Sequence, residues 1–420
     1  MRRLDFHCLS IVTLCGVVAC SARDVPPVAQ RIAVASLSSP AGPRSAEPFL
    51  SVADEGTLNL SWLEKQPDTT RTALKLARLT AANAWTAPVV VVSATDLFIN
   101  WADFPSVVQL ADGRLLAHWL QRNGVGKYAY DVRLAQSANG GVSWTTSVAP
   151  HPGGVPAEHG FVTLLPRADS TADIVFLNGS PKPAGTPEGM GPPMRLALAH
   201  WDRTGRVSDS ATVLDDRTCD CCQTAAAVTS RGPVVLYRDR SDRETRDIAV
   251  RRLVNGVWTE STPLHADGWT INACPVNGPA ISASGDAVAA VWFTGARDTA
   301  KVQLVFSSDA GATFGAPIRI DAGQPSGRVD VELLDNGDAL VTWIERTARD
   351  SAEVRARIVN RTGVAEPVIT IASLPGGRSS GFPRMARRAN DVVLAWTESG
   401  AASRVRLAVL TIAARPITAR

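Results

Sequence analysis

The chain has 420 residues, of which 45 % are hydrophobic and 20 % are charged, so it contains enough apolar material for a large packed core. The formal net charge is only +3, and no basic stripe interleaved with aromatic residues occurs along the chain. This balance excludes the concentrated positive surface that nucleic-acid binding requires.

The N-terminal residues 1–19 have the pattern of an export signal. Two arginines follow the first methionine, and the apolar stretch 9–19 is too short to span a membrane. It ends in Val-Val-Ala-Cys at Cys20, which resembles the bacterial lipobox. The resemblance implies a lipidated Cys20 and, because a serine follows, sorting to the outer membrane; an ordinary secretory signal is the alternative. Residues 20–30 are expected to be a tether.

Seven aromatic residues recur 51 to 61 residues apart, and each one ends a short apolar run. They are Trp62, Trp119, Phe176, Tyr237, Trp292, Trp343 and Trp396. This repetition indicates one supersecondary unit used seven times, and a unit of about 50 residues with several short strands is the size of a propeller blade. We therefore predict an all-β fold, with residues 31–420 forming a single seven-bladed β-propeller of four-stranded antiparallel blades.

The seventh unit lacks a convincing fourth strand. The segment IAVASL, just before the first unit, is an apolar run that belongs to no unit. We expect this N-terminal segment to complete the last blade, because closing the ring removes exposed sheet edges.

Two turns between third and fourth strands carry a family resemblance. Residues 137–144 read Ser-Ala-Asn-Gly-Gly-Val-Ser-Trp, and residues 307–314 read Ser-Ser-Asp-Ala-Gly-Ala-Thr-Phe. Both are similar to the Asp-box, Ser-x-Asp-x-Gly-x-x-Trp, so the chain resembles the bacterial sialidase-like (BNR or Asp-box repeat) β-propeller superfamily. In that superfamily the boxes are structural and lie opposite the functional face. True sialidases have six blades, so a six-bladed sialidase fold is the alternative.

The face opposite these turns, where the first strands start, contains the candidate ligand-binding residues. They are Trp101, Asp103, Glu158, His159, Arg328, Arg378 and Arg384. Loops on a rigid scaffold are common binding sites, and the planar fork of arginine suits a carboxylate. A polar residue also follows each repeated aromatic by two positions, at the end of the second strand. These residues are Glu64, Gln121, Asn178, Asp239, Thr294, Glu345 and Glu398.

An enzymatic function would be that of an exo-acting glycoside hydrolase of the sialidase type. Its candidate catalytic residues are Asp103, Glu158, His159, Glu345 and Glu398. The first unit reads EPFLSV where the family's Phe/Tyr-Arg-Ile-Pro motif would stand, and the chain has only 3 tyrosines from which a nucleophile could come. These departures favour a binding module, with the enzyme kept as a second hypothesis.

Four cysteines lie outside the export signal and the lipidation position: Cys219, Cys221, Cys222 and Cys274. An exported protein meets an oxidising compartment, so we expect disulfides, with Cys274 paired to Cys221 or Cys222. A copper or zinc site is the alternative, although Cys-x-Cys-Cys matches no strong zinc pattern. No other metal or cofactor is predicted.

The sequence therefore predicts a monomeric outer-membrane lipoprotein of the cell envelope. Its partners would be the membrane, through the lipid anchor, and a glycan or envelope protein bound at the channel face. The hydrolase and a thiol- or copper-handling envelope protein are the alternatives.

Overall fold

The computed structural model describes residues 31–414 except 55, 68, 154–155 and 182–191. These residues form seven antiparallel sheets and one short 3-10 helix, Ala296–Asp298. The predicted seven-bladed β-propeller is confirmed, and the six-bladed alternative is wrong. The predicted export signal, lipidation position and tether lie outside the described residues. No helix in the described part of the chain is long and apolar enough to cross a membrane.

Each blade is built from strands that are consecutive in the sequence, and the first strand of each blade is its inner strand. The first half contains β1 (Ile32–Leu37); blade 1, with β2 (Ser45–Val52), β3 (Leu58–Lys65), β4 (Thr72–Leu79) and β5 (Val89–Ala94); blade 2, with β6 (Ser106–Gln109), β7 (Leu115–Arg122) and β8 (Tyr130–Ser137); and blade 3, with β9 (His159–Pro166), β10 (Ala172–Asn178), β11 (Met194–Trp201) and β12 (Thr212–Thr218).

The second half contains the other four blades. They are blade 4, with β13 (Ala225–Thr229), β14 (Gly232–Arg238), β15 (Ile248–Val254), β16 (Val257–Trp258) and β17 (Thr262–Pro263); blade 5, with β18 (Ala280–Ser284), β19 (Ala287–Thr294), β20 (Lys301–Ser307) and β21 (Ile318–Arg319); blade 6, with β22 (Pro325–Leu333), β23 (Ala339–Ala348), β24 (Ser351–Val359) and β25 (Ile369–Pro375); and blade 7, with β26 (Arg384–Arg388), β27 (Asp391–Glu398) and β28 (Arg404–Ile412).

The N-terminal strand closes the ring, as predicted. Strand β1 pairs antiparallel with β28 and becomes the outer strand of blade 7, with Ile32 opposite Ile412. The adjacent Arg31 is buried and forms ion pairs with Asp338 (Nη2–Oδ2, 2.7 Å) and Glu366 (Nε–Oε1, 2.5 Å). Since both carboxylates belong to turns of blade 6, Arg31 also ties the closing strand to the neighbouring blade.

The seven repeated aromatics form the cores between blades. Each lies on the second strand of its blade and is at least nine-tenths buried. Trp343 packs with Leu304 of blade 5, and Trp62 packs with Val393 of blade 7. These side chains therefore attach each sheet to its neighbour.

At Trp62 and Trp343, the polar residue two positions later accepts a hydrogen bond from the indole. Trp62 Nε1 donates to Glu64 Oε2 (2.9 Å), and Trp343 Nε1 donates to Glu345 Oε2 (2.6 Å). Residues i and i+2 lie on the same face of a strand, which makes this contact local. Polarity at these two strand ends therefore has a structural cause.

Blade 2 departs from the prediction because it has three strands instead of four. The predicted fourth strand contributes a single bridge, between Leu134 and Val148. At the next ladder position, the side chain of His151 accepts the Val132 N–H at Nε2 (3.3 Å). An imidazole therefore takes the place of a backbone carbonyl, and the outer strand ends there.

The two Asp-box-like turns share one set of hydrogen bonds. In the second, Ser307 Oγ donates to Asp309 Oδ1 (2.7 Å), which also accepts the Thr313 N–H (2.9 Å). In the first, Asn139 Oδ1 accepts the Ser143 N–H in the same way (2.9 Å). The antiparallel order of the strands puts both turns at the end of the ring opposite the starts of the inner strands.

Candidate functional site

The inner strands surround a cavity of about 150 Å³ in the channel, which we call the channel cavity. Phe49, Phe104 and Arg384 contribute to its wall, and the Arg384 guanidinium lies 5.4 Å from the ring centre of Phe49 and 5.6 Å from that of Phe104. Arg384 Nε also lies 3.6 Å from Asp330 Oδ2. Burial raises the pKa of Asp330. Arg384 is therefore directed into the channel by an acid and two aromatic rings.

A second cavity, of about 90 Å³, lies where the inner strands start, and we call it the mouth cavity. Its lining includes Asn100, Trp101, Tyr128, Glu158, Asp220, Cys221, Cys274 and Arg378. Of the predicted ligand-binding residues, the structure thus brings Trp101, Glu158 and Arg378 to one cavity. Ala102 and Phe161 line both cavities and lie between them.

One wall of the mouth is a stack of cationic and aromatic groups. Trp101 stacks on Phe382, with ring centres 6.0 Å apart, and the Arg328 guanidinium lies 4.7 Å from the Trp101 ring centre. Arg328 donates to the carbonyls of Gly377 (2.9 Å) and Gly381 (3.3 Å), so it holds the loop before β26. Burial and the nearby Arg378 lower the pKa of Arg328 to about 10.

Arg378 differs from Arg328 because it is exposed. Its guanidinium lies 6.0 Å from the Trp101 ring centre at the rim of the mouth cavity. Within the part of the chain that the structure describes, the Arg378 side chain forms no ion pair. It can therefore form one with an anionic ligand without giving up an existing contact.

A tyrosine links two of the predicted acids. Tyr130 Oη donates at 2.9 Å to Asp103 Oδ2, and it lies 3.3 Å from Glu158 Oε1. The Phe161 N–H donates to the other oxygen of Asp103 (2.8 Å). Burial raises the pKa of Asp103 to about 7, opposed by the hydrogen bonds from Phe161 and Tyr130, while the charge of Glu158 raises it further.

The same network keeps Tyr130 protonated. Its ring is fully buried and stacks on Phe98 with centres 3.9 Å apart. Burial, together with the charges of Asp103 and Glu158, raises the pKa of Tyr130 well above its usual value. Tyr130 therefore acts as a neutral donor, unlike the exposed nucleophile that a sialidase needs. Sequence reasoning missed its role, because it considered the tyrosines only as possible nucleophiles.

A glycine permits this close arrangement. A Cβ at Gly160 would lie 2.0 Å from Asp103 Oδ2, which no side chain tolerates. The next residue, Phe161, has a left-handed φ of +54°, so the chain turns sharply as β9 begins. Gly160 and Phe161 together bring the start of blade 3 against the acid of blade 2.

His159 is a predicted site residue that does not line the mouth cavity. It is buried, its Nδ1 lies 2.8 Å from Asn178 Oδ1, and its ring stacks on His151 with centres 3.8 Å apart. Burial lowers the pKa of His151. The two imidazoles belong to the packing between blades 2 and 3, so the structure gives His159 no route to a ligand in the mouth.

Glu345 and Glu398 also lie apart from both cavities. Glu345 is buried and accepts hydrogen bonds from the Trp343 indole and from the N–H groups of Ala322 and Gln324. Glu398 is on the rim of blade 7, where it pairs with Arg406 (Oε2–Nη2, 2.6 Å). The structure therefore does not bring together the four predicted catalytic carboxylates.

The four cysteines come together where blades 4 and 5 begin, and they are thiols in the structure. Cys219 Sγ lies 3.1 Å from Cys222 Sγ and 3.7 Å from Cys221 Sγ, while Cys274 Sγ lies 4.0 Å from Asp220 Oδ1. The predicted disulfides stay a prediction, for which the closest pair is Cys219 and Cys222.

A buried arginine contacts this group of thiols. Arg246 is fully buried, and its Nη1 lies 3.4 Å from Cys219 Sγ and 3.5 Å from Asp220 Oδ1. Burial opposes ionisation of Cys219, but hydrogen bonds from Cys221 and Cys222 and the charge of Arg246 bring its pKa well below the usual thiol value. Burial raises the pKa values of Cys221 and Cys222.

No family model matches the chain, and no curated protein sequence matches it. Among solved structures, it resembles a protein of unknown function from Dyadobacter fermentans DSM 18053, with a TM-score of 0.52 and 14 % identity over 91 % of this chain and 99 % of that one. Polysaccharide lyase Uly1 gives a TM-score of 0.51 and 9 % identity over 87 % and 90 % of the two chains. The Hadza microbial sialidase Hz136 gives a TM-score of 0.44 and 13 % identity over 71 % of this chain and 63 % of that one.

The structural neighbours thus include polysaccharide lyases and sialidases with a propeller fold. For the Dyadobacter protein and polysaccharide lyase Uly1, at 14 % and 9 % identity, the likeness shows a shared fold alone. Membership of the Asp-box repeat family and the lipid anchor stay predictions.

Proposed function

We propose that the protein is an exported, lipid-anchored envelope protein that binds an anionic glycan at the mouth cavity. The observation that carries the proposal is Arg378, an exposed guanidinium without an ion-pair partner among the described residues, beside Trp101 at the rim of that cavity. A guanidinium donates two parallel hydrogen bonds to a carboxylate or sulfate. Trp101 and Tyr128 offer apolar surface to a sugar ring, and Asn100 and Glu158 offer polar groups to its hydroxyls.

Binding is favoured over glycoside hydrolysis by the placement of the acids. Hydrolysis requires two carboxyl groups on either side of one glycosidic bond. Glu158 lines the mouth cavity, whereas Asp103 lines the channel cavity and has both oxygens engaged by Tyr130 and Phe161. Asp220 also lines the mouth cavity, but it is buried and its Oδ1 pairs with Arg246 Nη1 (3.5 Å), so Glu158 is the acid that a sugar in the mouth would meet.

A glycan-processing enzyme is the second candidate, and one observation favours it. Glu158, Tyr130 and Asp103 form a continuous hydrogen-bonded network in which Asp103 has a pKa of about 7, so a proton can be taken up or released near neutral pH. The structurally similar Uly1 is named as a polysaccharide lyase, and a polysaccharide belongs to the same substrate class, the glycans.

The binding proposal is tested by calorimetry with matched oligosaccharides that are neutral, uronate-containing, sulfated or sialylated. We expect anionic sugars to bind and neutral ones to bind weakly. Arg378→Ala should weaken binding about tenfold to a hundredfold, since it removes charge-assisted hydrogen bonds of about 1.5–3 kcal/mol. The control is Arg361→Ala, an exposed arginine in the turn between β24 and β25 at the opposite end of the ring. Equal affinity for neutral sugars, or an unchanged Arg378→Ala affinity, would contradict the proposal.

The enzyme candidate is tested on the same sugars by measuring product release. Turnover that disappears in both Glu158→Gln and Asp103→Asn would establish the second candidate. Turnover that persists in both variants would exclude this acid pair as its source.

A further inference from the structure

The four cysteines form a ligand set that the proposed glycan site does not use. Cys219, Cys221 and Cys222 lie on one segment between β12 and β13, and Cys274 lies on another, between β17 and β18. The three sulfurs of the first segment all lie within 4.8 Å of one another. So do the ligand atoms of Asp220, Cys221 and Cys274, and Cys221 therefore belongs to both groups.

The sulfur separations suit a shared metal ion. With metal–sulfur bonds of about 2.3 Å, two thiolates on one ion lie roughly 3.7–4.6 Å apart, depending on the bond angle. The separation between Cys219 Sγ and Cys221 Sγ is 3.7 Å, which is within this range. The separation between Cys219 Sγ and Cys222 Sγ is 3.1 Å. Binding one ion would therefore have to move these two sulfurs apart by at least about 0.6 Å.

The surroundings place positive charge beside the thiols and give an ion access. Arg246 is fully buried and contacts Cys219 Sγ, and the buried Arg238, on β14, accepts the Cys219 N–H at its backbone carbonyl (3.0 Å). These two guanidinium groups offset part of the negative charge that a thiolate cluster brings into the protein, and Arg246 also pairs with Glu244 (Nη2–Oε2, 2.8 Å). Cys221 and Cys274 line the mouth cavity, whereas Cys219 and Cys222 lie buried behind them. An ion can therefore enter through the mouth.

We propose that Cys219, Cys221 and Cys222 bind one copper(I) ion in a trigonal set of thiolates, with Cys274 beside it. Soft thiolates select soft ions, and all three ligands are thiolates. Zinc prefers four ligands in a closed tetrahedron, whereas the segment 219–222 offers three sulfurs. Binding replaces the proton of each thiol that is not already ionised, so protons are released and no oxidant is needed.

The test uses the full chain carrying Cys8→Ser, Cys15→Ser and Cys20→Ser, so that only the four cysteines remain. After anaerobic reduction, a thiol assay must count four thiols per chain. Copper(I) is then titrated against bathocuproine disulfonate, and zinc(II) is titrated separately against a chromophoric chelator. We expect one copper(I) per chain to be withdrawn from the competitor, and X-ray absorption to report sulfur neighbours alone.

Variants separate a designed site from an incidental one. Cys221→Ser should weaken copper(I) binding by more than about a hundredfold, since it removes a direct ligand. Cys274→Ser should weaken it much less, because the trigonal set stays intact. Thermal unfolding of the apoproteins shows whether each variant is folded. The proposal is overturned if the four-thiol protein withdraws no copper(I), if it takes up zinc(II) alone, or if folded Cys221→Ser binds copper(I) as tightly as the parent.

Discussion

The Asp-box-like turns and the channel mouth lie at opposite ends of the same blades, and they accommodate acidic side chains in opposite ways. In the turn, hydrogen bonds from Thr313 and Ser307 hold the pKa of Asp309 well below its usual range. At the mouth, burial raises the pKa of Asp103 to about 7 despite two hydrogen bonds. All the partners of Asp309 lie within four residues of it, whereas those of Asp103 come from the starts of β8 and β9.

The backbone shows the same contrast. At the turns, left-handed φ angles occur mostly at glycines such as Gly141 and Gly311, where they are inexpensive, and Ala310 (+61°) is the non-glycine exception. Where inner strands start, non-glycine residues adopt them: Glu47 (+49°), Phe161 (+54°), Val276 (+48°) and Arg328 (+56°). Backbone strain of this kind is common at binding sites, where glycine cannot replace a residue whose side chain is needed. The turns at one end of the ring thus stabilise the fold, whereas the mouth retains a buried acid and left-handed non-glycine residues that lower its stability.

The largest expected effect belongs to the cores between blades. Trp343→Ala should lower the free energy of unfolding by about 3–5 kcal/mol, because it leaves a large cavity and removes the indole donor of Glu345. Denaturant unfolding measures this loss. Trp101→Ala, at the half-buried mouth, is the matched control and should cost much less. Equal losses of unfolding free energy in the two variants would contradict the view that the cores between blades stabilise the fold more than the mouth does.

The second effect is a dependence of stability on pH. The pKa of Asp103 is about 7 when folded and near 3.8 when unfolded, so the folded state binds more protons between these values and stability falls as pH rises through this window. Asp103→Asn should reduce the stability difference between pH 5 and pH 8 by on the order of 2 kcal/mol. Asp309→Asn should leave it unchanged, because Asp309 titrates below pH 5. An unchanged slope in Asp103→Asn would show that Asp103 is ionised throughout.

A smaller effect is expected when the mouth network loses one hydroxyl. Tyr130→Phe keeps the stack on Phe98 and should cost about 1 kcal/mol. It should also move the Asp103 transition to higher pH, because the Tyr130 hydrogen bond lowers that pKa. Tyr237→Phe, which removes a hydroxyl that donates to Asp215, is the control and should lower stability without moving the transition. Unfolding curves at several pH values measure both.

The smallest effect on stability is expected for Arg378→Ala. The side chain is exposed and has no ion pair with any residue that the structure describes, so the unfolding free energy should change by less than about 0.5 kcal/mol. A loss above 1 kcal/mol would mean that Arg378, like Arg328, supports the loop, and its exposure would no longer indicate a ligand.

The sequence predicted the features that repeat and missed those that the loops assemble. The spacing of the aromatics predicted seven blades, and the unassigned segment IAVASL predicted the closing strand, because each signal is local or periodic. Tyr130 was missed because its partners Asp103 and Glu158 lie on other loops, and no spacing in the sequence joins them.

Two local signals were interpreted incompletely. Glu345 was a candidate acid because it is polar at a strand end, yet its position two residues after Trp343 already places it beside the indole. The outer strand of blade 2 was predicted from composition, but the side chain of His151 ends that strand, and composition does not reveal such a contact.

The closing strand also determines the order in which the ring can be completed. Strand β1 is synthesised before the other strands of the ring, and its partner β28 is synthesised after them, so Ile32 cannot pair until Ile412 has been made. Until then β1 has an unpaired edge, and the Arg31 partners on blade 6 are made only late in synthesis. A chain interrupted before residue 404 therefore keeps an open edge, which exposes incomplete molecules to aggregation and proteolysis while finished ones are protected.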